Sequence, residues 1–264
     1  MKFKILFLLM ILIFIAGGLV SWFFWSKPIY ISDSKISIPE GDGKDTAVMT
    51  YNIQRGLDME GNSNLPEISE LISGNKFDIV GLNEVDRYTR RSGFQNQIKT
   101  LASSTGMNYV YGPNVDMIPG SYGNALLTRH RIISAENHTL PGFDKSEKRG
   151  LLNVKIQLPD GEVYNVLVTH LSLNRQERQL QLSWIEDYLD ELKKPYFLLG
   201  DFNGQKEFSS SLRPLIDGQE TFPAHTPSGQ IDYIISDLNI ELAEKGTFRV
   251  PFSDHLPLYI KSIL

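Results

Sequence analysis

The stretch PYFLLGDFNGQ, Pro195 to Gln205, reads as a buried strand: an aromatic and aliphatic run closed by Gly200. It then delivers Asp201 and Asn203 at spacing two. On an extended segment that spacing puts both side chains on one face. Two polar residues after a strand are ordinary in a loop. They carry chemistry only where the rest of the chain supplies partners for them.

The same form recurs along the chain. AVMTYNI brings Asn52 to the end of an apolar run, FDIVGLNEV ends on Glu84, and VYNVLVTHL carries His170. QIDYIISD holds Asp232, and FSDHLPL gives the adjacent pair Asp254 and His255, the latter opening the strand candidate HLPLYIKS. GNALLTRH and GLLNVKIQL are further strand candidates, and QLPDGEVY is a hairpin candidate turning at Pro159, Asp160 and Gly161. Helices are expected over LPEISELISG, FQNQIKTLASSTG and NRQERQLQLSWIEDYLDELKK. In the last, Leu180, Trp184, Tyr188 and Leu192 form a stripe expected to face the core. Taken singly, Glu84 reads as a solvated loop residue, His170 as a hydrogen-bonded histidine and Asp232 as solvent-facing. Burying any of them beside an apolar run costs free energy unless it is paired or bound to a cation. Their recurrence at strand ends points to one shared site.

The order Asn52, Glu84, His170, Asp201-x-Asn203, Asp232, Asp254-His255 resembles the endonuclease/exonuclease/phosphatase superfamily, over about residues 47 to 260. GDFN followed by IDYI and SDHLPL carries the likeness most strongly. NEVDRYTRRSG, YGNALLTR, KRGLL and RQERQLQ also resemble its metal-dependent hydrolase branch. The resemblance implies an α/β (α+β) four-layer sandwich: two packed, mostly antiparallel sheets flanked by helices, with the site at one end. It implies water attack on phosphorus, with Mg2+ (Mn2+ as substitute) held by Glu84, Asn52 and Asp254. Asp201 would orient or deprotonate the water and Asn203 would donate to a phosphate oxygen. Asp232 would hold His255 as base or phosphate clamp, and His170 would act as acid or electrostatic stabiliser near the leaving group. The glutamate that partners this histidine in nuclease relatives has no clear counterpart here. Asn124 is expected to contact the phosphate or support the site. Arg149 reads as an anion contact or as an exposed structural arginine.

Composition sets the outer bounds. Of 264 residues, 41% are hydrophobic and 22% charged, which suits a globular chain, and the formal net charge is -5. There is no cysteine, so disulfides and thiolate zinc sites are excluded and any metal takes oxygen or imidazole ligands. From Ile5 to Trp25 no residue is charged and Ser21 is the one polar side chain. As a helix rising 1.5 Å per residue, this run matches a hydrocarbon core of about 30 Å. With Lys2 and Lys4 before it and few cations just after, it is expected to place the N-terminus in the cytoplasm. Residues 1–26 are thus expected to be a single-pass transmembrane anchor, 27–45 a tether and 46–264 an extracytoplasmic catalytic domain. A cleaved secretory signal, with a secreted product, is the alternative, because Ala16, Gly17 and Gly18 are small. With Lys2, Lys4 and Lys27 set aside from the 26 cations, 23 remain against 31 anions, a net of -8. That leans away from nonspecific nucleic-acid binding. A lipid headgroup or other surface phosphoester is the favoured substrate, DNA or RNA the alternative, and a non-catalytic binding protein the third. The expected partners are the phosphoester and the bilayer, and no obligate protein partner is inferred.

Overall fold

Along the strands, alternate residues enter two different cores, so both faces of each sheet are covered. In a computed structural model that describes residues 29–32, 45–192 and 195–263, strand β2 (Asp45–Asn52) sends Met49 and Tyr51 to one core and Val48 to another. Strand β9 (Tyr196–Asp201) does likewise, with Phe197 and Leu199 on one side and Tyr196 and Leu198 on the other. Burial on both faces is why these strands read as unbroken apolar runs.

The remaining elements are β1 (Tyr30–Ile31), α1 (Leu65–Gly74), β3 (Ile79–Arg87), α2 (Gln97–Thr105), β4 (Asn108–Asp116), β5 (Ser121–Thr128), β6 (Arg131–Thr139), β7 (Gly150–Gln157), β8 (Val163–His170), α3 (Arg175–Leu192), β10 (Asp232–Ser236), β11 (Glu241–Thr247) and β12 (Leu258–Ile263). A seven-stranded sheet runs β1-β4-β5-β3-β2-β12-β11 and a five-stranded sheet runs β10-β9-β8-β7-β6. Pairing is antiparallel except for β2 with β3 and β8 with β9. One core lies between the first sheet and α1 and α2, with Ile68, Ile72, Ile98 and Leu101 against Tyr51 and Leu82. The second, between the sheets, joins Val48, Ile79 and Leu126 to Val166, Val168, Phe197 and Leu199. The third joins Leu182, Ile185 and Leu189 of α3 to Leu167, Leu198 and Tyr233. The architecture is therefore the expected four layers, helices on sheet on sheet on helix.

Three readings change. The stripe on α3 is wider than expected and loses one member. Trp184, Tyr188 and Leu192 pack against the third core, Leu180 is half exposed, and Leu182, Ile185 and Leu189, together with Glu177, Arg178 and Gln181, are the buried residues. Gly200 does not close its strand but lies inside it, opposite Thr169 and Tyr233, with φ at +144°. A β-carbon there would land on the Thr169 carbonyl oxygen, so the glycine permits close strand approach. Part of the expected tether, Tyr30–Ile31, pairs antiparallel with β4 as an edge strand. The expected anchor over residues 1–26 lies outside the described residues; among those described, no helix is long and apolar enough to cross a membrane.

Candidate active site

The alternation that builds the inter-sheet core also builds the site. The inward row Val166, Val168 on β8 continues to His170; Phe197, Leu199 on β9 continues to Asp201; Ile234 on β10 is preceded by Asp232. In register, His170 pairs with Asp201 and Asp201 with Asp232, so the three lie abreast on neighbouring strands. From the facing sheet, β2 and β3 bring Asn52 beside Asn83, and β5 brings Asn124. Period-two packing thus ends the apolar core, at one end of the sandwich, in two opposed polar rows.

Asp201 Oδ2 is where they meet. It accepts Asn52 Nδ2 at 3.1 Å and lies 3.3 Å from His170 Nε2 and 3.5 Å from His255 Nε2. Asp201 Oδ1 accepts the Asn203 backbone N–H at 2.8 Å. That bond requires Asn203 to turn into the left-handed region, φ 50°, so the spacing of two serves an Asx-type turn and not a shared face of an extended strand. The Asn203 side chain donates to the Leu171 carbonyl at 2.9 Å. His255 Nδ1 is 2.8 Å from Asp232 Oδ2, and its ring packs on Phe222 at 4.8 Å between centroids.

Burial gives these groups unusual protonation. It raises the Asp201 carboxyl well above the carboxylate range; His255 opposes this and the neighbouring Asp232 adds to it. Burial alone would lower His255, but the carboxylates of Asp232 and Asp201 outweigh it and hold the ring protonated. His170 moves the other way, because burial first and then the charges of Arg149 and His255 disfavour its cation. His170 is therefore neutral beside a protonated His255.

Glu84 reaches the site by a different device. The β3–β5 register slips between Leu82 and Val85, and Glu84 sits in this bulge with φ at 59°. A bulge re-aims a side chain that regular alternation would send elsewhere. Glu84 Oε1 accepts Asn52 Nδ2 at 3.3 Å. Glu84 and Asp254, with Gln54, Arg91, Tyr122 and Glu147, line an open cavity of about 380 Å³. Gln54 ties both flanks together: its N–H donates to Asn52 Oδ1 and its Oε1 accepts the Asp254 N–H.

Two carboxylates and an amide beside an open cavity are the oxygen donors a hard divalent cation takes. A second cluster, Asp201, Asp232 and His255, has donor atoms all within 4.8 Å of one another. Its His255 and Asp232 atoms, however, already engage each other at hydrogen-bond distance. Glu84 and Asp254 share the open cavity, and Asn52, whose Oδ1 already accepts the Gln54 N–H, stands beside Glu84.

The last two expected residues sit deeper. Asn124 is buried, with Nδ2 donating to the carbonyls of Gly150 and Val168 and Oδ1 accepting from Asn83, so its amide bridges the sheets. Arg149 is buried and pairs with Glu147 at 3.0 Å. Sequence reading missed Asn83, whose amide donates to Asn124 Oδ1 and the Thr169 carbonyl and accepts the Asp201 N–H, each at 2.9 Å. It also missed the role of RQERQLQ. Glu177 there accepts Ser172 Oγ and the Phe143 N–H, and Arg178 binds the Ser172 and Leu173 carbonyls and Glu207. Together they fix the loop after His170. The available signal was the charged run RQERQLQ at the start of a helix whose apolar stripe faces the core.

Comparison with known proteins agrees with this fold. The family model described as the endonuclease/exonuclease/phosphatase family matches residues 49–255. Protein YbhP of Escherichia coli (strain K12) is 30% identical over 171 residues, 61% of this chain and 67% of that protein. Protein cwh43 of Schizosaccharomyces pombe is 27% identical over 152 residues, which are 57% of this chain but 15% of that longer protein. Among solved structures, mannosyl-6-phosphatase Bt3783 of Bacteroides thetaiotaomicron shares the fold with a TM-score of 0.69 at 17% identity, over 83% of this chain and 100% of that one. The human Nocturnin catalytic domain does so with a TM-score of 0.65 at 19% identity, over 83% and 94%. With more than half its length matched by the family model, the chain belongs to the endonuclease/exonuclease/phosphatase family.

Proposed function

We propose that the protein is a membrane-anchored, divalent-metal-dependent phosphoester hydrolase whose catalytic domain faces outward from the cytoplasmic membrane. The observation that carries the catalytic reading is the convergence of Asn52, His170 and His255 on a single buried oxygen, Asp201 Oδ2. Asp201, raised by burial, is the group that orients the attacking water and accepts its proton. The protonated His255, steadied by Asp232 at Nδ1, is a cationic clamp for phosphoryl oxygens and not the base. His170 serves as a neutral hydrogen-bond donor and electrostatic support. Asn203 completes the turn that presents Asp201 and stands beside the phosphate. Glu84, Asp254 and Asn52 would hold Mg2+, or Mn2+ in its place, which when bound supplies charge neutralisation on the phosphoryl group. Asn124 supports the site across the sheets. Arg149 contributes positive charge near His170.

The reading is tested with the full chain in detergent or vesicles, against phospholipids, plasmid DNA, RNA and bis(p-nitrophenyl) phosphate. Expected is turnover with Mg2+ or Mn2+ that is abolished by EDTA and by Asp201→Ala. Turnover indifferent to both overturns it. Rapid plasmid nicking with inert lipids replaces the lipid substrate by nucleic acid and leaves the chemistry.

A further inference from the structure

The short strand β1 fixes where the chain upstream of it leaves the domain. Tyr30 pairs with Tyr111 and Ile31 with Val110, antiparallel to β4. Continued toward the N-terminus, that direction leads to Gly112, which is paired with Asn124 of the site. β1 therefore points its upstream end at the catalytic end of the sandwich. Arg87, at the end of β3, stacks on Tyr30 at 3.6 Å and Tyr88 at 4.7 Å and locks this exit. Only four residue steps separate Ile29 from Trp25, the last residue of the apolar run, a reach of at most about 14 Å.

The loops at the same end are unusually apolar at their tips. Ile118, in the β4–β5 hairpin, is fully exposed, Leu173 after β8 is 77% exposed and Phe94 after β3 is 56% exposed. Met59 after β2, Tyr88 after β3 and Phe143 between β6 and β7 are also exposed. Exposed Arg90 shares a loop with Phe94. Among the described residues, no large exposed apolar side chain occupies a loop at the opposite end, where Lys76, Asp160, Glu162 and Asp237 stand instead. Exposed apolar tips, with charges of both signs between them, suit insertion at the headgroup and acyl boundary of a bilayer, and a water-facing catalytic mouth has no use for them.

We infer that the catalytic mouth faces the bilayer in which residues 5–25 are anchored, with its loop tips inserted, and that its substrate is the phosphoester headgroup of a lipid in that same membrane. The inference rests on the proposed hydrolase and on the anchor. It differs from an anchor alone, which on a long tether would leave the mouth free to face the solvent.

The chain has no cysteine, so single cysteines at Ile118→Cys and, as control, Ile133→Cys on β6 accept an environment-sensitive fluorophore in the full chain, reconstituted into phosphatidylcholine–phosphatidylglycerol vesicles. Expected is a blue-shifted probe at 118, quenched by lipids brominated near the carbonyl, and an aqueous probe at 133. Equal aqueous spectra at both positions overturn the inference. In parallel, Ile118→Asp with Phe94→Asp is expected to cut hydrolysis of vesicle phospholipid about tenfold or more while leaving soluble bis(p-nitrophenyl) phosphate turnover within about twofold. Equal losses on both substrates, or none on vesicles, overturn the substrate assignment. An inserted probe with no hydrolysis of any phosphoester sinks the hydrolase reading and spares the orientation; an aqueous probe with full hydrolysis does the reverse.

Discussion

Replacing Asn83 by leucine removes the amide that joins the two sheets at the site while nearly conserving volume. Asn83 is fully buried and makes three hydrogen bonds of 2.9 Å, to Asn124 Oδ1, the Thr169 carbonyl and the Asp201 N–H. A net value of about 1 kcal/mol for each gives roughly 3 kcal/mol, and leaving the partners buried without replacement raises this to about 5. For a domain of this size about 1 kcal/mol moves Tm by roughly 2–4 °C, so a fall on the order of 10 °C is expected. Asn165 provides the contrast: it is equally buried, but neither atom of its side-chain amide meets a partner. Asn165→Leu is therefore expected to be neutral or stabilising, because burying an unpaired amide costs free energy. Calorimetry on both variants reads the difference directly. Because Asp201 loses the bond that fixes its backbone, kcat for Asn83→Leu is expected to fall while the Asn165→Leu value holds. Equal melting shifts in the two variants would refute the claim that the inter-sheet amide network, and not general burial, holds the site together.

Three further outcomes follow from single contacts. Gly200→Ala drives a β-carbon into the Thr169 carbonyl at a backbone φ of +144°, so β8 and β9 must part; a loss of several kcal/mol, about 3 or more, is expected in urea unfolding, and a wild-type midpoint would refute the close approach. Asp232→Asn removes the charge that keeps His255 protonated and is expected to lower kcat by about 100-fold or more with KM changed far less, judged by steady-state kinetics; an unchanged kcat would dismiss the clamp. His130 is buried with both ring nitrogens unpartnered, and burial holds its pKa below the ordinary value. Its neutral form therefore favours the folded state above about pH 6.5, and as pH falls below that value the unfolded chain takes the proton first. Stability is expected to fall with a limiting slope of about 1.4 kcal/mol per pH unit that His130→Phe removes; parallel curves for parent and variant between pH 7 and 5 would contradict this.

What could be read in the sequence divides along a physical line. Most strands buried on both faces were legible, because two-sided burial writes a continuous apolar run: β2, β3, β5, β7, β8, β9, β10 and β12 all coincide with such runs. The strands that escaped were β1, β6 and β11, which are sheet edges, and β4, which carries Gly112 and Pro113. Edge strands such as ELAEKGT are charged where they face solvent, which protects them from further pairing and erases their signature. The site divides in the same way. Asp201, His170, Asp232 and Asn52 were visible as polar residues ending apolar rows, since alternation alone carries them to the inter-sheet face. Asn83 was hidden because its neighbour Glu84 drew the reading, and only the bulge reveals that both residues turn toward the site. Arg178 and Glu177 were hidden because buried charge on a helix looks like a solvated face until its partners, which are backbone groups of a distant loop, are known. Asn203 was found for the wrong reason, its spacing being set by a turn that no strand periodicity encodes. Chemistry carried on regular elements is thus written in the local pattern. Chemistry carried on a bulge, a turn or a loop clamp is written in contacts between segments far apart in the chain, and those the sequence does not display.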